Sequence, residues 1–387
     1  MKMKQSMMLA SAALLAVAVG ITPACASSAS TSSTTTVPTP FSCASTLVAN
    51  WATPQLARET VVVSALSTSF GVMTQAAKDG FGGVLLYGDA TPPHLAPTLR
   101  SLQTLTPLHL NLAVMTDDEG GGIIRVSGLT GSWPWAHVMG ATMSPAQIAA
   151  LARRVGLAMA KAGITMDLAP VADVDGSAAY PGATNPVGLR SFGGNVQRDA
   201  ADVVAFDQGL HSAGIIATVK HFPGLGGASG NTDNGPAVTK SWSTLQASDL
   251  RVFQAAIAAG VPAVMLSNAV IKGLTTAPST LSPKAVAALR NLGFSGLIVT
   301  DSLGAGAIGS AHLSLAQASV LSIRAGADQL LGPYPASDQI SIANAQAMAA
   351  GIVGAVNGHR IQRSALQAAA ARVVATNTPQ VCHLLPG

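Results

Sequence analysis

Short apolar runs punctuate the chain beyond residue 60. They read VVVSAL from Val61, GVLLYG from Gly83, LNLAVMTD from Leu110 and ITMDLAPVADV from Ile164. Then follow IIATVKHF from Ile215, AVMLSN from Ala263, GLIVTD from Gly296 and ADQLLG from Ala327. Each is nearly continuous rather than alternating, which predicts strands buried on both faces. Ala-rich stretches with helical character separate them, such as SPAQIAALARRVGLAMAKAG and RDAADVVAFDQGLHSAG. The second carries Asp199 as its expected start and Gly214 as its exit. Strands alternating with helices mean a parallel sheet in an α/β fold. Eight such units predict a single (β/α)8 TIM-type barrel domain, with its functional groups at the C-terminal ends of the strands. An open doubly wound sheet is the alternative. No G-x-G-x-x-G opens a helix after the first strand, so a dinucleotide site is not expected.

The first 43 residues follow a different pattern. Lys2 and Lys4 precede an apolar stretch from Met7 to Ile21, and small residues follow. This reads as a secretory signal over 1–25, too short for a spanning helix. Ala24-Cys25-Ala26 fits an ordinary cleavage site, while Thr22-Pro23-Ala24-Cys25 resembles a lipobox. We take Cys25 as the lipidated residue, which places the protein in the cell envelope, anchored to the outer face of a membrane. Ordinary secretion is the alternative. Residues 26–43 are rich in Ser and Thr and bury too little apolar surface to fold, so they read as a tether. The folded catalytic domain is expected over 44–387.

Composition narrows the partners. Hydrophobic residues make up 49% and charged residues only 10%, which suits a buried parallel sheet. Two units of the +4 formal charge sit on Lys2 and Lys4. No basic run interleaved with aromatics appears, so nucleic acid is not an expected partner. The membrane is expected to enter only through the lipid anchor, and the body to act as a monomer. His109, His211 and His359 lack metal-ligand spacing, so neither metal nor other cofactor is expected. With Cys25 set aside, Cys43 and Cys382 remain. An exported compartment predicts that they pair as a disulfide, with two free thiols as the alternative.

Candidate chemistry gathers where the apolar runs end. The third ends in Asp117, the fourth runs into Asp173, and the fifth ends in Lys220-His221. The sixth ends in Asn268 and the seventh in Asp301. A single Asp after a strand is ordinarily a turn or helix-cap residue. Polar groups at the same end of five hydrophobic strands instead predict a shared mouth.

The segments holding these residues resemble glycoside hydrolase family 3, in its single-barrel β-N-acetylhexosaminidase branch. TDDEGGGIIR is similar to the family's D-Q-E-G-G-R segment, and ITMDLAPVADV to its A-P-V-x-D-V strand. GLRSFGGN resembles its R-S-(F/Y) stretch, and KHFPGLG its K-H-F-P-G-H-G. LGFSGLIVTDSLGAGAI resembles the strand bearing the nucleophile. The resemblance runs from about residue 60 to 335. It implies Asp301 as the nucleophile that forms a covalent glycosyl-enzyme. It implies Asp117, Arg190, Lys220 and His221 as residues holding the hydroxyls of a terminal sugar, with Asp173 supporting that pocket. Lys220 and Arg190 are expected to favour ionised Asp301. Their alternative role is an internal salt-bridge network.

One loop departs from the family. After K-H-F-P-G-H-G the branch carries Asp-Ser-His, whose His is the acid/base; here Asn231-Thr232-Asp233 stands instead. The preferred reading makes Asp233 the acid/base, hydrogen-bonded by Asn231 and delivered by a flexible Gly-rich loop, since retaining hydrolysis needs two such groups. The others are a degenerate triplet, and a turn cap beside Asn234-Gly235-Pro236. Glu119 reads either as sugar-binding or as packing at a helix start. Trp133 and Trp135 read either as a sugar platform or as core. The function implied is a retaining exo-β-N-acetylglucosaminidase acting on N-acetylglucosamine-containing cell-wall (peptidoglycan) fragments. A β-glucosidase and a non-catalytic sugar-binding lipoprotein are the rivals.

Overall fold

A computed structural model describes residues 38–385. The signal segment, Cys25 and most of the tether lie outside them. Strands β1 (Val61–Leu66), β2 (Gly83–Tyr87), β3 (Ala113–Thr116) and β4 (Met166–Asp167) lead the sheet. Strands β5 (Ile216–Phe222), β6 (Ala263–Leu266), β7 (Leu297–Thr300) and β8 (Leu330–Leu331) complete it. Each pairs in parallel with its neighbour in sequence, and β8 returns to β1 through Val61 and Leu330. The ring closes where Val299 bridges Gln329, and the Thr300 N–H donates to the Gln329 carbonyl at 2.9 Å. The expected barrel is therefore formed among the described residues, as a nearly closed eight-stranded parallel sheet.

The apolar runs divide by period two, as strands require. Val62, Leu85, Met115, Met166, Met265, Val299 and Leu331 cluster inside the barrel. Val61, Val63, Val84, Leu86, Val114, Val264 and Ile298 pack outward against the helices. That two-sided burial explains why the runs do not alternate in polarity.

Two boundaries differ from those read in the sequence. Helix α1 (Pro40–Val48) begins inside the stretch assigned to the tether. Thr39 caps it through its side chain and Pro40 sits in its first turn, so the folded body starts before residue 44. The helix Val196–Ser212 starts ahead of Asp199, because the Asn195 side chain accepts the Arg198 N–H at 3.0 Å. Asp199 is buried in its first turn, and Gly214 follows the helix with a φ of 80°.

Cys43 and Cys382 are joined in a disulfide across a sequence separation of 339. It ties α1 to the chain's last turn. On the chain-entropy account, opening so long a loop lowers stability by roughly 2–5 kcal/mol. Cys382→Ser is therefore expected to lower the urea midpoint of the body, and an unchanged midpoint would show that the crosslink adds no stability.

Glu59 closes helix α2 (Thr53–Glu59) at the opposite end of the barrel from the strands' C-termini. It lines a cavity of about 220 Å³ there and is 7% exposed. Burial pushes its carboxyl up to about 8. A carboxyl raised on folding loses stability as pH climbs from its unfolded value toward its folded one. Glu59→Gln should therefore gain on wild type by on the order of 3 kcal/mol between pH 5 and pH 8. Parallel stability curves for the two proteins would refute that account.

Candidate active site

The mouth at the strands' C-terminal ends holds a cavity of about 170 Å³. Asp117, Arg190, Lys220, His221, Asn231, Asp233 and Asp301 all line it. Asp173 sits behind His221. Of the other sequence-derived candidates, Asn268, Trp133 and Trp135 do not line the cavity, Cys43 and Cys382 lie elsewhere, and Cys25 is outside the described residues.

Strand β5 supplies two adjacent residues to the mouth, although a regular strand would send them to opposite faces. Its register against β6 shifts between Val219 and Phe222, and such an irregularity re-aims side chains. The Lys220–His221 peptide is cis. Lys220 is 2% exposed, and its Nζ meets Asp117 Oδ1 at 2.5 Å and Glu119 Oε1 at 2.6 Å. Burial works against the ammonium, but the two carboxylates outweigh it and raise the Lys220 pKa.

Glu119 belongs to no helix. Asp118–Gly120 pairs antiparallel with Ile123–Ile124 in a small hairpin. Asp118 holds that hairpin by accepting from the Thr116 hydroxyl at 2.8 Å and the Arg125 N–H at 2.8 Å. Glu119 takes a two-pronged bond from Arg190, whose Nε and Nη2 each reach a carboxylate oxygen at 2.8 Å. Burial alone would raise the Glu119 carboxyl; the Arg190 and Lys220 charges hold it well below the usual range. Both readings of these cations therefore meet in one place: they form an internal network, and they face the cavity.

His221 is oriented by Asp173. The Asp173 carboxylate lies 2.7 Å from Nδ1 and accepts the His221 N–H at 3.0 Å and the Leu225 N–H at 2.7 Å. These contacts outweigh burial and lower the Asp173 pKa. The Nε2 atom is left facing the cavity, 3.4 Å from Arg190 Nη2.

Asp301 follows β7 and is half-buried. The Ser302 N–H donates to its Oδ1 at 2.7 Å. The turn is held from behind by Asn268, whose Nδ2 donates to the Ser302 carbonyl at 2.7 Å. Asn268 is 1% exposed and so acts as a brace rather than a mouth residue. Burial raises the Asp301 carboxyl and Asp233 raises it further, while His221, the Ser302 N–H and Lys220 pull it down. The net shift is upward. The expectation that Arg190 would hold Asp301 ionised fails, because the guanidinium is committed to Glu119.

The Gly-rich loop is pinned rather than free. The Asn231 N–H donates to the Ala183 carbonyl at 2.8 Å. The N–H groups of Gly306 and Ala307 donate to the carbonyls of Asp233 and Thr232, both at 2.9 Å. Glycine serves close packing here. A Cβ on Gly226 would lie 2.2 Å from the Val174 carbonyl oxygen, and one on Gly306 would lie 2.6 Å from the Asn234 carbonyl carbon. The Asn231 side chain accepts the backbone N–H of Asp233 at 2.9 Å, so it shapes the turn and does not orient the carboxylate. Asp233 itself is exposed at the mouth.

Trp133 is 5% exposed and belongs to the core. Trp135 covers the hairpin turn, where a Cβ on Gly121 would lie 2.0 Å from its ring. Neither tryptophan lines the cavity. Arg125 and Tyr87 do, and the strand-end pattern missed both. The Gly120-Gly121-Gly122 run was the available signal for Arg125, since glycines between short runs mark a hairpin that brings the chain back.

Residues 71–376 match the model of the glycosyl hydrolase family 3 N terminal domain. The β-hexosaminidase LpqI of Mycobacterium tuberculosis (strain ATCC 25618 / H37Rv) is 36% identical over 227 residues, which is 57% of this chain and 58% of that protein. The match thus spans little more than half the length of that relative. The solved structure of M. tuberculosis LpqI superposes with a TM-score of 0.76 at 28% identity, over 88% of this chain and 97% of that one. A β-N-acetylhexosaminidase from Beutenbergia cavernae DSM 12333 superposes with a TM-score of 0.76 at 30% identity, over 85% of this chain and 99% of that one. With its barrel and most of its length matched by the family model, the chain belongs to glycosyl hydrolase family 3.

Proposed function

We propose that this protein is a retaining exo-β-N-acetylglucosaminidase, exported and anchored through Cys25, that trims cell-wall fragments as a monomer. The observation that carries the reading is that Asp301 and Asp233 face one cavity whose opposite wall is the Lys220–Glu119–Arg190 network. Asp301 attacks C1 and forms a glycosyl ester, while Asp233 gives its proton to the departing oxygen. Asp233 then takes a proton from water, whose oxygen attacks C1 and frees Asp301. Asp117, Arg190, Lys220 and His221 hold the terminal sugar, and Asp173 keeps the His221 ring in place. The names of the relatives support the hexosaminidase assignment over a glucosidase. The exposure of Asp233 favours the rival binding-protein reading, and turnover decides between them.

The test is turnover of a chromogenic N-acetyl-β-glucosaminide by the soluble body. Asp233→Ala should lower the rate by about 10²–10⁴-fold. Azide should restore it with formation of a β-glycosyl azide. Wild type inert on both this substrate and the glucoside would leave only a binding role.

The raised Asp301 carboxyl sets the pH dependence. Its ionised form is lost as pH falls, and it is lost at a higher pH than for an ordinary aspartate. The acid limb of kcat/KM, measured on a dinitrophenyl glycoside, should therefore lie above the usual aspartate range. Asp233→Asn removes a neighbouring negative charge and should move that limb toward acid. An unmoved limb would mean that the two carboxylates do not interact.

A further inference from the structure

The mouth has two unlike halves. The loops after β3, β4 and β5 carry the ion-pair network of Asp117, Glu119, Arg190 and Lys220. The other half runs along the ends of β7, β8 and β2. Asp233 belongs to this second half, because its loop leans on Gly306 beyond β7. A leaving group protonated by Asp233 must lie beside it, so it lies on this side.

Two tyrosines stand there. Tyr87 ends β2 and lines the cavity together with Asp301 and Asp233. Tyr334 follows β8, and its ring meets Tyr87 edge to face, with centroids 5.0 Å apart at 76°. Tyr334 is 61% exposed. It is nonetheless held rigidly. Pro333 and Pro335 flank it and restrict the backbone on both sides, and Pro335 is buried. Pro333 packs so closely on Gly304 that a Cβ on that glycine would lie 2.2 Å away. The Leu303 N–H donates to the Leu331 carbonyl at 3.1 Å, which ties the same loop to the turn that carries Asp301. A large exposed aromatic on a stiffened loop, coupled to the Asp301 turn, has the attributes of a contact surface. Tyr180 is also highly exposed, but it packs against Trp135 behind the ion-pair half, away from Asp233.

We infer that Tyr334, backed by Tyr87, is the platform of a leaving-group subsite that accepts a second pyranose ring. The subsite rests on the glycosidase reading above. The terminal sugar sits against the charges, where its hydroxyls find partners. The next sugar emerges past Asp233 and lays its C–H face on the Tyr334 ring, which needs aromatic area and no charge.

The experiment compares N,N′-diacetylchitobiose with N-acetyl-β-glucosaminyl fluoride, whose leaving group is a single atom. Tyr334→Ala should lower kcat/KM on the disaccharide about 3- to 10-fold. It should leave the fluoride unchanged, and Tyr334→Phe should behave as wild type on both. An equal loss on both substrates would make Tyr334 a structural residue and overturn the subsite. No loss on the disaccharide would overturn it too. Wild type that turns over the fluoride but not the disaccharide sinks the subsite and leaves the glycosidase reading standing. Wild type inert on both removes that reading, and the subsite with it.

Discussion

A lysine that is 2% exposed can remain charged only if carboxylates meet it. Asp117 and Glu119 meet Lys220, and much of the mouth follows from that requirement. Glu119 must leave β3 and turn back, so the chain after Thr116 forms a hairpin instead of a helix. Its carboxylate, shared between Lys220 and Arg190, draws the loop after β4 over the cavity. The result is a wall of charge that keeps its geometry because each member would be costly to leave unpaired. Such a wall suits a ligand covered in hydroxyls, which can bond to charged groups without a charge of its own.

The opposite wall is organised differently. Asp301 lacks an ion pair within salt-bridge distance among the described residues, and its turn is set by the Ser302 N–H and the Asn268 amide. Burial and Asp233 then push its carboxyl upward. On the proposed reading the two halves divide the work of glycoside hydrolysis: one would hold a neutral polar ring, and the other brings Asp301 and Asp233 to the same cavity. The Gly-rich loop lets the second half form. Its Gly226 allows backbone to approach backbone, and Gly306, beyond β7, leaves room for the Asp233 and Asn234 backbone to rest against it.

Much of this was legible in the chain. Eight two-sided apolar runs could be buried only in a parallel sheet with both faces covered, and closure removes the edges such a sheet would otherwise expose. Polar residues at the ends of those runs had to share one mouth, because parallel strands all point the same way. Asp117, Lys220, His221 and Asp301 were readable for that reason, and Arg190 and Asp233 through the resemblance. Cys43 and Cys382 could be paired because exported chains oxidise their thiols.

Other features depended on contacts that no local pattern encodes. Glu119 stays open in the sequence between sugar-binding and packing at a helix start, because nothing near it announces Arg190, seventy-one positions away. The glycines after Lys220 looked like a source of flexibility, since composition cannot distinguish a mobile loop from one packed too tightly for a side chain. Arg125 and Tyr87 reach the mouth through a hairpin return and a strand end, and Tyr334 meets Tyr87 from a proline-flanked loop, none of which carries a charged signature at a strand terminus. Strand identity and direction are local properties, set by burial and period. Which charges meet, and which rings face each other across the mouth, is decided by closure of the barrel, because only closure sets distances between segments far apart in the chain.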